Sequence, residues 1–235
     1  MNYHSTFLNS VKALQERINS TCKKCGREPQ EVTLMAVTKR HPAEAAEWAL
    51  EAGLKHLGEN RVQELAEKRP KVTDERGKWE LIGPLQRNKA RLAIQHADRI
   101  QTVERIKLAR ALDRICGEEG RERLPVLMQV NVSGDPAKSG CAPEGARALL
   151  EAITASTHLD LEGLMTIGEL TEDTERIRST FRDLRELRDR LSTETGFALP
   201  VLSMGMTGDL EIAIEEGSTL IRVGTALFGE REPAG

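Results

Sequence analysis

The chain has 235 residues, enough to bury a self-sufficient core and few enough for one or two domains. Acidic residues number 37 and basic residues 34, so the net charge of −3 excludes an overall pull toward nucleic acid or anionic lipid. Four Phe, two Trp and one Tyr are too few for base-stacking or sugar-binding floors. No apolar run approaches the roughly 18–20 residues of a membrane span, and the polar stretch 1–10 has no signal-peptide core, which predicts a cytoplasmic protein.

The first element reads as a helix. Phe7, Val11, Leu14 and Ile18 recur at helical spacing, and Gly26 then Pro29 stop it. Cys22 and Cys25 form a lone CxxC at the end of that helix. With Cys116 and Cys141 isolated, the four cysteines read as reduced thiols, with no second pair to build a zinc site. The histidines at 4, 41, 56, 96 and 158 show no metal-ligand spacing either.

After this helix the chain alternates between short apolar runs and amphipathic stretches. The runs fall at 32–38, 55–59, 79–83, 99–103, 125–132, 161–167, 200–204 and 219–224. Pro42 sits in the first turn of one intervening helix, Gly53 lies just past its end, and Pro70 stops the next. The clearest helix covers 172–191. Ile177, Phe181, Leu184, Leu187 and Leu191 form one face, and Glu186 and Arg190 are spaced for an ion pair on its solvated side.

Strands alternating with helices predict a parallel sheet covered by helices, and the continuously apolar runs suit strands buried on both faces. Eight units in 235 residues average about 29 each, near the unit size of a (β/α)8 barrel. The expected fold is therefore α/β: a single TIM-barrel domain over 1–235, with an extra N-terminal helix (1–28) packed on it. An open doubly wound sheet is the alternative, and the sequence lacks its GxGxxG and Walker A loops.

A TIM barrel places its site at the C-terminal ends of the strands. The first strand runs into Lys39, where a desolvated amine can bond a carbonyl compound or simply pair with a carboxylate. The last two strands form the usual phosphate corner. Here they supply Ser203, Thr207 and Thr225 as hydroxyls, and Gly205, Gly208 and Gly224 as points of close backbone approach; the same glycines also suit tight turns. Arg222 shares the inward alternation face of Leu220 and Gly224. It needs an acceptor, either a carboxylate such as Glu59 or a ring nitrogen of a bound cofactor. Glu59, Glu169 and Asp209 are the acidic residues within reach of the mouth.

Lysine, phosphate corner and inward arginine together suggest pyridoxal 5′-phosphate (PLP). Seven blocks, in order, carry a family resemblance over about residues 8 to 230. They are Ala36–Val37–Thr38–Lys39, Gly58–Glu59–Asn60–Arg61–Val62–Gln63–Glu64, Ile82–Gly83–Pro84–Leu85–Gln86–Arg87–Asn88–Lys89, Gln129–Val130–Asn131–Val132–Ser133–Gly134 with Lys138 and Gly140, Gly163–Leu164–Met165, Leu202–Ser203–Met204–Gly205–Met206, and Gly217–Ser218–Thr219 with Arg222, Gly224, Phe228 and Gly229. The sequence resembles the pyridoxal phosphate homeostasis proteins, whose fold is that of the alanine racemase N-terminal barrel without the second, β-rich domain.

The resemblance implies PLP held as an aldimine on Lys39, with Arg222 facing the pyridine nitrogen. Ser203, Gly224 and Thr225 would hold the phosphate, with Met204 and Thr207 nearby, while Asn60 and Met165 would line the ring. Two positions depart from the family. Arg61 stands where tyrosine is usual, and Glu80 stands where a histidine usually follows Trp79. Inside its strand, Glu80 is expected to leave cofactor binding untouched and to alter surface recognition.

An arginine on the ring nitrogen discourages its protonation and weakens the ring as an electron sink. Racemisation would need a second acid–base group, and the only tyrosine is Tyr3, near the N-terminus. The expected role is a non-catalytic, monomeric PLP carrier that buffers the cofactor or delivers it to PLP-requiring apo-enzymes. The alternatives are a racemase or decarboxylase of low activity and a PLP-independent barrel acting on a phosphorylated metabolite.

Overall fold

The computed structural model describes residues 3–169 and 171–229; residues 1, 2, 170 and 230–235 of the expected domain lie outside the described residues. Eight parallel strands close into one barrel in sequence order. They are β1 (Thr33–Val37), β2 (His56–Glu59), β3 (Lys78–Leu81), β4 (Arg99–Val103), β5 (Leu124–Gln129), β6 (Leu159–Met165), β7 (Val201–Ser203) and β8 (Leu220–Val223). Closure is made by β8 against β1, with Met35 opposite Arg222. Each apolar run read from the sequence overlaps one of these strands, though β3, β5 and β6 begin one or two residues before their runs.

The covering helices are α1 (Tyr3–Lys24), α2 (Glu44–Glu51), α3 (Val62–Lys68), α4 (Ala90–His96), α5 (Ile106–Glu118), α6 (Ala146–Thr154), α7 (Thr174–Thr195), α8 (Leu210–Glu215) and α9 (Thr225–Phe228). Helix α1 buries Phe7, Leu14, Ile18 and Cys22 and packs on α8 and α9. Phe7 stacks on Phe228 at 5.1 Å, and Arg17 binds Glu211 at 2.7 Å and the Thr207 carbonyl at 3.1 Å. The extra helix thus braces the corner where β7 and β8 end. Cys22 and Cys25 are free thiols; burial raises the pKa of Cys22.

Helix α7 starts at the Asp173 cap, whose carboxylate accepts from Glu175 N at 3.0 Å, and ends at Gly196 in the left-handed region. The pair expected between Glu186 and Arg190 is not among the ion pairs of the described residues. Arg178 and Arg185 instead reach Glu216, at 3.1 and 3.0 Å, which ties α7 to the end of α8.

The main apolar core lies between sheet and helices. The barrel lumen contributes only a small apolar cluster of Met35, Val37, Ile82 and Leu220. Beside these the lumen carries buried polar residues: Glu80, Gln101, Gln129, Ser203 and Arg222. Strands buried on both faces were expected to be apolar throughout. Here one face meets the helices, and the other lines a hydrogen-bonded interior.

Candidate functional site

Lys39 lies two residues beyond β1, half-buried in a turn. Its neighbours are pinned on both sides. Thr38 N–H donates to the Gly58 carbonyl at 3.0 Å, and its hydroxyl donates to Glu59 Oε1 at 2.6 Å. Lys68 Nζ, on α3, donates to the Thr38 carbonyl (2.7 Å), Glu59 Oε1 (2.8 Å) and Glu64 Oε1 (2.7 Å). Glu64 also accepts the backbone N–H of Arg40, a non-glycine residue at φ 62°. That conformation costs on the order of 1–2 kcal/mol, so the clamp offsets a strained turn that fixes the direction of the chain at Lys39. A cleft of about 170 Å³ opens beside it, lined by Lys39, Arg40, Asn60, Arg61 and Glu64.

Glu59 is therefore not the partner of Arg222. It shares its alternation face with Leu57, which packs in the helix-side core, whereas Gly58 faces the lumen against Met35 and Ile82. Burial raises the Glu59 pKa, against the hydrogen bonds from Lys68 and Thr38 that favour its charge. Its Oε2 is buried without a partner.

Arg222 projects from β8 into the lumen. Nη1 donates to Ser203 Oγ at 2.7 Å and Nη2 to the Thr166 carbonyl at 2.8 Å. Both acceptors are neutral. Burial pushes its pKa down to about 10, with the charge of Asp209 acting in the opposite direction, so it remains a cation at neutral pH. A guanidinium offers five N–H donors, and a buried one favours any further acceptor brought within reach.

The other expected residues divide by place. Asn60 lines the Lys39 cleft, and its carbonyl is so close to Gly83 that a Cβ there would stand 2.0 Å away; only glycine fits. Met165 ends β6, buried and opposite Ser203. Gly224 and Thr225 begin α9 beside Val37, and half-buried Thr207 lies on the loop after β7. Met204 faces away: its side chain joins the helix-side core, its N–H donates to Leu220 O, and its carbonyl accepts Ser218 Oγ. Ser203 also differs from expectation in detail, because its hydroxyl proton goes to Gln101 Oε1 at 2.6 Å, inside the lumen.

Glu80 overturns its expectation. It is 1% exposed and cannot shape surface recognition. It accepts from Arg99 Nε (2.6 Å) and Gln101 Nε2 (2.7 Å), and pairs with His56 Nδ1 (2.5 Å). Burial would raise its pKa, but the hydrogen bond from His56 and the charge of Arg99 leave it lowered. Lys68, Gln101 and Gln129, whose Nε2 donates to the Ser139 carbonyl at 3.0 Å, were not singled out from the sequence. For two of them a signal existed: Glu64 and Lys68 have (i, i+4) spacing, and Arg99 and Gln101 alternate within a strand.

Barrel, lysine after the first strand and arginine on the last define a barrel of the alanine racemase type. Residues 10–232 match the family described as "Alanine racemase, N-terminal domain". A "Pyridoxal phosphate homeostasis protein" of Pseudomonas aeruginosa is 42% identical over 97% of each chain. The solved structure of PipY from Synechococcus elongatus, with PLP bound, is 39% identical, with a TM-score of 0.81 over 92% of this chain and 99% of that one. An alanine racemase of Clostridium difficile shares the fold, at a TM-score of 0.75, 16% identity and coverage of 96% of this chain and 58% of that one. The chain belongs to the pyridoxal phosphate homeostasis proteins within the alanine racemase N-terminal domain family.

Proposed function

We propose that this protein binds PLP at the barrel mouth and stores it or hands it on, as a cytoplasmic monomer without catalytic turnover of its own. The observation that carries this reading is Arg222. A buried guanidinium bonded only to neutral acceptors suits an unprotonated pyridine nitrogen, which accepts a hydrogen bond and carries no charge. The PLP-bound state of PipY, a relative at 39% identity, supports the same ligand.

When bound, PLP supplies an aldehyde that condenses with an amine, forming C=N and releasing water. Lys39 is the amine at the mouth, held in place by the Thr38, Lys68 and Glu64 contacts. Asn60 and Met165 would line the ring, and Ser203, Thr207, Gly224 and Thr225 would form the phosphate corner. Met204 contributes by packing behind that corner rather than by contact. The cationic Arg222 keeps the ring a weak electron sink, which suits storage better than turnover.

The test is the visible absorption spectrum of purified protein after incubation with PLP, with Lys39→Ala alongside, before and after borohydride. A yellow band in the wild type, fixed by reduction onto a Lys39 peptide and missing from the variant, is expected. A protein that stays colourless with PLP overturns the reading.

A further inference from the structure

Beneath Arg222 the lumen holds an unbroken chain of hydrogen bonds. Arg222 Nη1 donates to Ser203 Oγ (2.7 Å), Ser203 Oγ to Gln101 Oε1 (2.6 Å), and Gln101 Nε2 to Glu80 Oε2 (2.7 Å). Glu80 is held in turn by Arg99 through Nε and Nη2, at 2.6 and 2.9 Å, and Arg99 binds Glu162 at 2.7 Å. The chain crosses from β8 through β7 and β4 to β3, and its members from Arg222 to Glu80 are buried.

Every donor in this chain points the same way, because the guanidinium at one end can only donate and the carboxylate at the other can only accept. An ionised carboxylate only accepts. Gln101 must therefore turn its N–H toward Glu80 and its oxygen toward Ser203. Ser203 must spend its proton on Gln101 and turn a lone pair to Arg222. A neutral amide at position 80 can present its own N–H to Gln101. That turns the carboxamide over, offers Ser203 a second donor and frees its proton to point elsewhere.

We propose that Glu80 is a positioning residue for the cofactor site: through Gln101 and Ser203 it fixes the orientation of Arg222 and the charge at the ring nitrogen. The inference rests on the PLP reading above for its ligand-bound readout only. The titratable and charged groups that face this chain are His56 from β2, Arg99 from β4 and Glu162 from β6 around Glu80, with Asp209 acting on Arg222.

The experiment is a pH titration of the visible band of PLP bound to wild type, E80Q, Q101L and the double variant. If Glu80 acts through the relay, E80Q loosens the hold on Arg222 and its midpoint should move by roughly half a unit or more, whereas loss of the Glu80 charge acting through space would shift it equally with and without Gln101. In the Q101L background the same substitution should move the midpoint by less than half as much, because the relay is already cut. A merely structural role for Glu80 would lower stability and leave the midpoint where it was. An E80Q midpoint equal to the wild type, or an equal shift with and without Gln101, overturns the proposal.

Two further measurements keep the outcomes separate. If wild type forms no band, the PLP reading fails. The relay is then decided on the ligand-free protein by NMR, where E80Q should shift the Arg222 side-chain N–H resonance in the presence of Gln101 and not in Q101L. If E80Q fails to fold, Q101L alone cuts the chain between Glu80 and Ser203. It should move the band midpoint by roughly half a unit or more, and an unmoved midpoint overturns the proposal.

Discussion

Two buried glutamates have pKa values shifted in opposite directions, and their pH behaviour separates them. Glu80 has a lowered pKa, so its ionised form stabilises the fold above its ordinary value of 4.5, and that contribution is lost as pH falls through the folded value. Glu59 has a raised pKa, so its contribution is complete below 4.5 and is lost as pH rises through the folded value. Breaking a buried pair typically costs about 3–5 kcal/mol. E80Q should therefore be less stable than wild type at pH 7 by an amount of that order, and the difference should shrink on acidification below 4.5. E59Q should gain on wild type as pH rises. Urea midpoints from about pH 2.5 to 8 for both variants check this, and parallel slopes would contradict the assignment. Lys39 and Arg222 were legible in the sequence because a barrel directs attention to strand ends. The partner of Arg222 was not. Strand alternation puts Glu59 on the Leu57 face, but the register that seats Ser203 beside Arg222 exists only once the barrel closes.

Each of the eight strands was legible because each is a short apolar run bounded by punctuation, and the helices followed from their spacing. The irregularities were not. Register shifts within the pairings of β4 with β5 and of β5 with β6 depend on the neighbouring strand, which one sequence does not display. The clamp below Lys39 is another product of neighbouring elements, since Lys68 on α3 meets Thr38 after β1 and Glu59 on β2. Lys68 is itself buried, so its removal leaves Glu59 and Glu64 without their cation. Lys68→Met keeps the aliphatic length and discards the charge. It should cost about 3–5 kcal/mol in urea unfolding and weaken PLP binding in a direct titration, because the turn at Arg40 loses its brace. Unchanged PLP affinity in a folded Lys68→Met protein would show that the clamp serves stability alone.

Over the whole molecule, the proposed PLP site offers a candidate acid–base group on one side of the ring. Moving a proton at Cα of an amino acid from one side to the other needs two acid–base groups, one on each side of the ring, each within hydrogen-bond reach. Lys39 is one. The single tyrosine of the chain, Tyr3, opens α1 and is 71% exposed. Among the residues lining the Lys39 cleft the only carboxylate is Glu64, and it is held by Lys68 and the Arg40 N–H. In the proposed site, Arg222 at the ring nitrogen would further lower the tendency of the ring to draw electrons from Cα. The PLP-loaded protein in D2O with L-alanine should therefore incorporate Cα deuterium no faster than free PLP at the same concentration. Mixed with a PLP-requiring apo-enzyme, it should restore that enzyme's activity as its own yellow band declines. Deuterium uptake well above the free-cofactor rate, abolished by Lys39→Ala, would instead make the barrel a racemase-like catalyst. A band that persists beside the apo-enzyme would remove delivery and leave storage as the role of the Lys39 site.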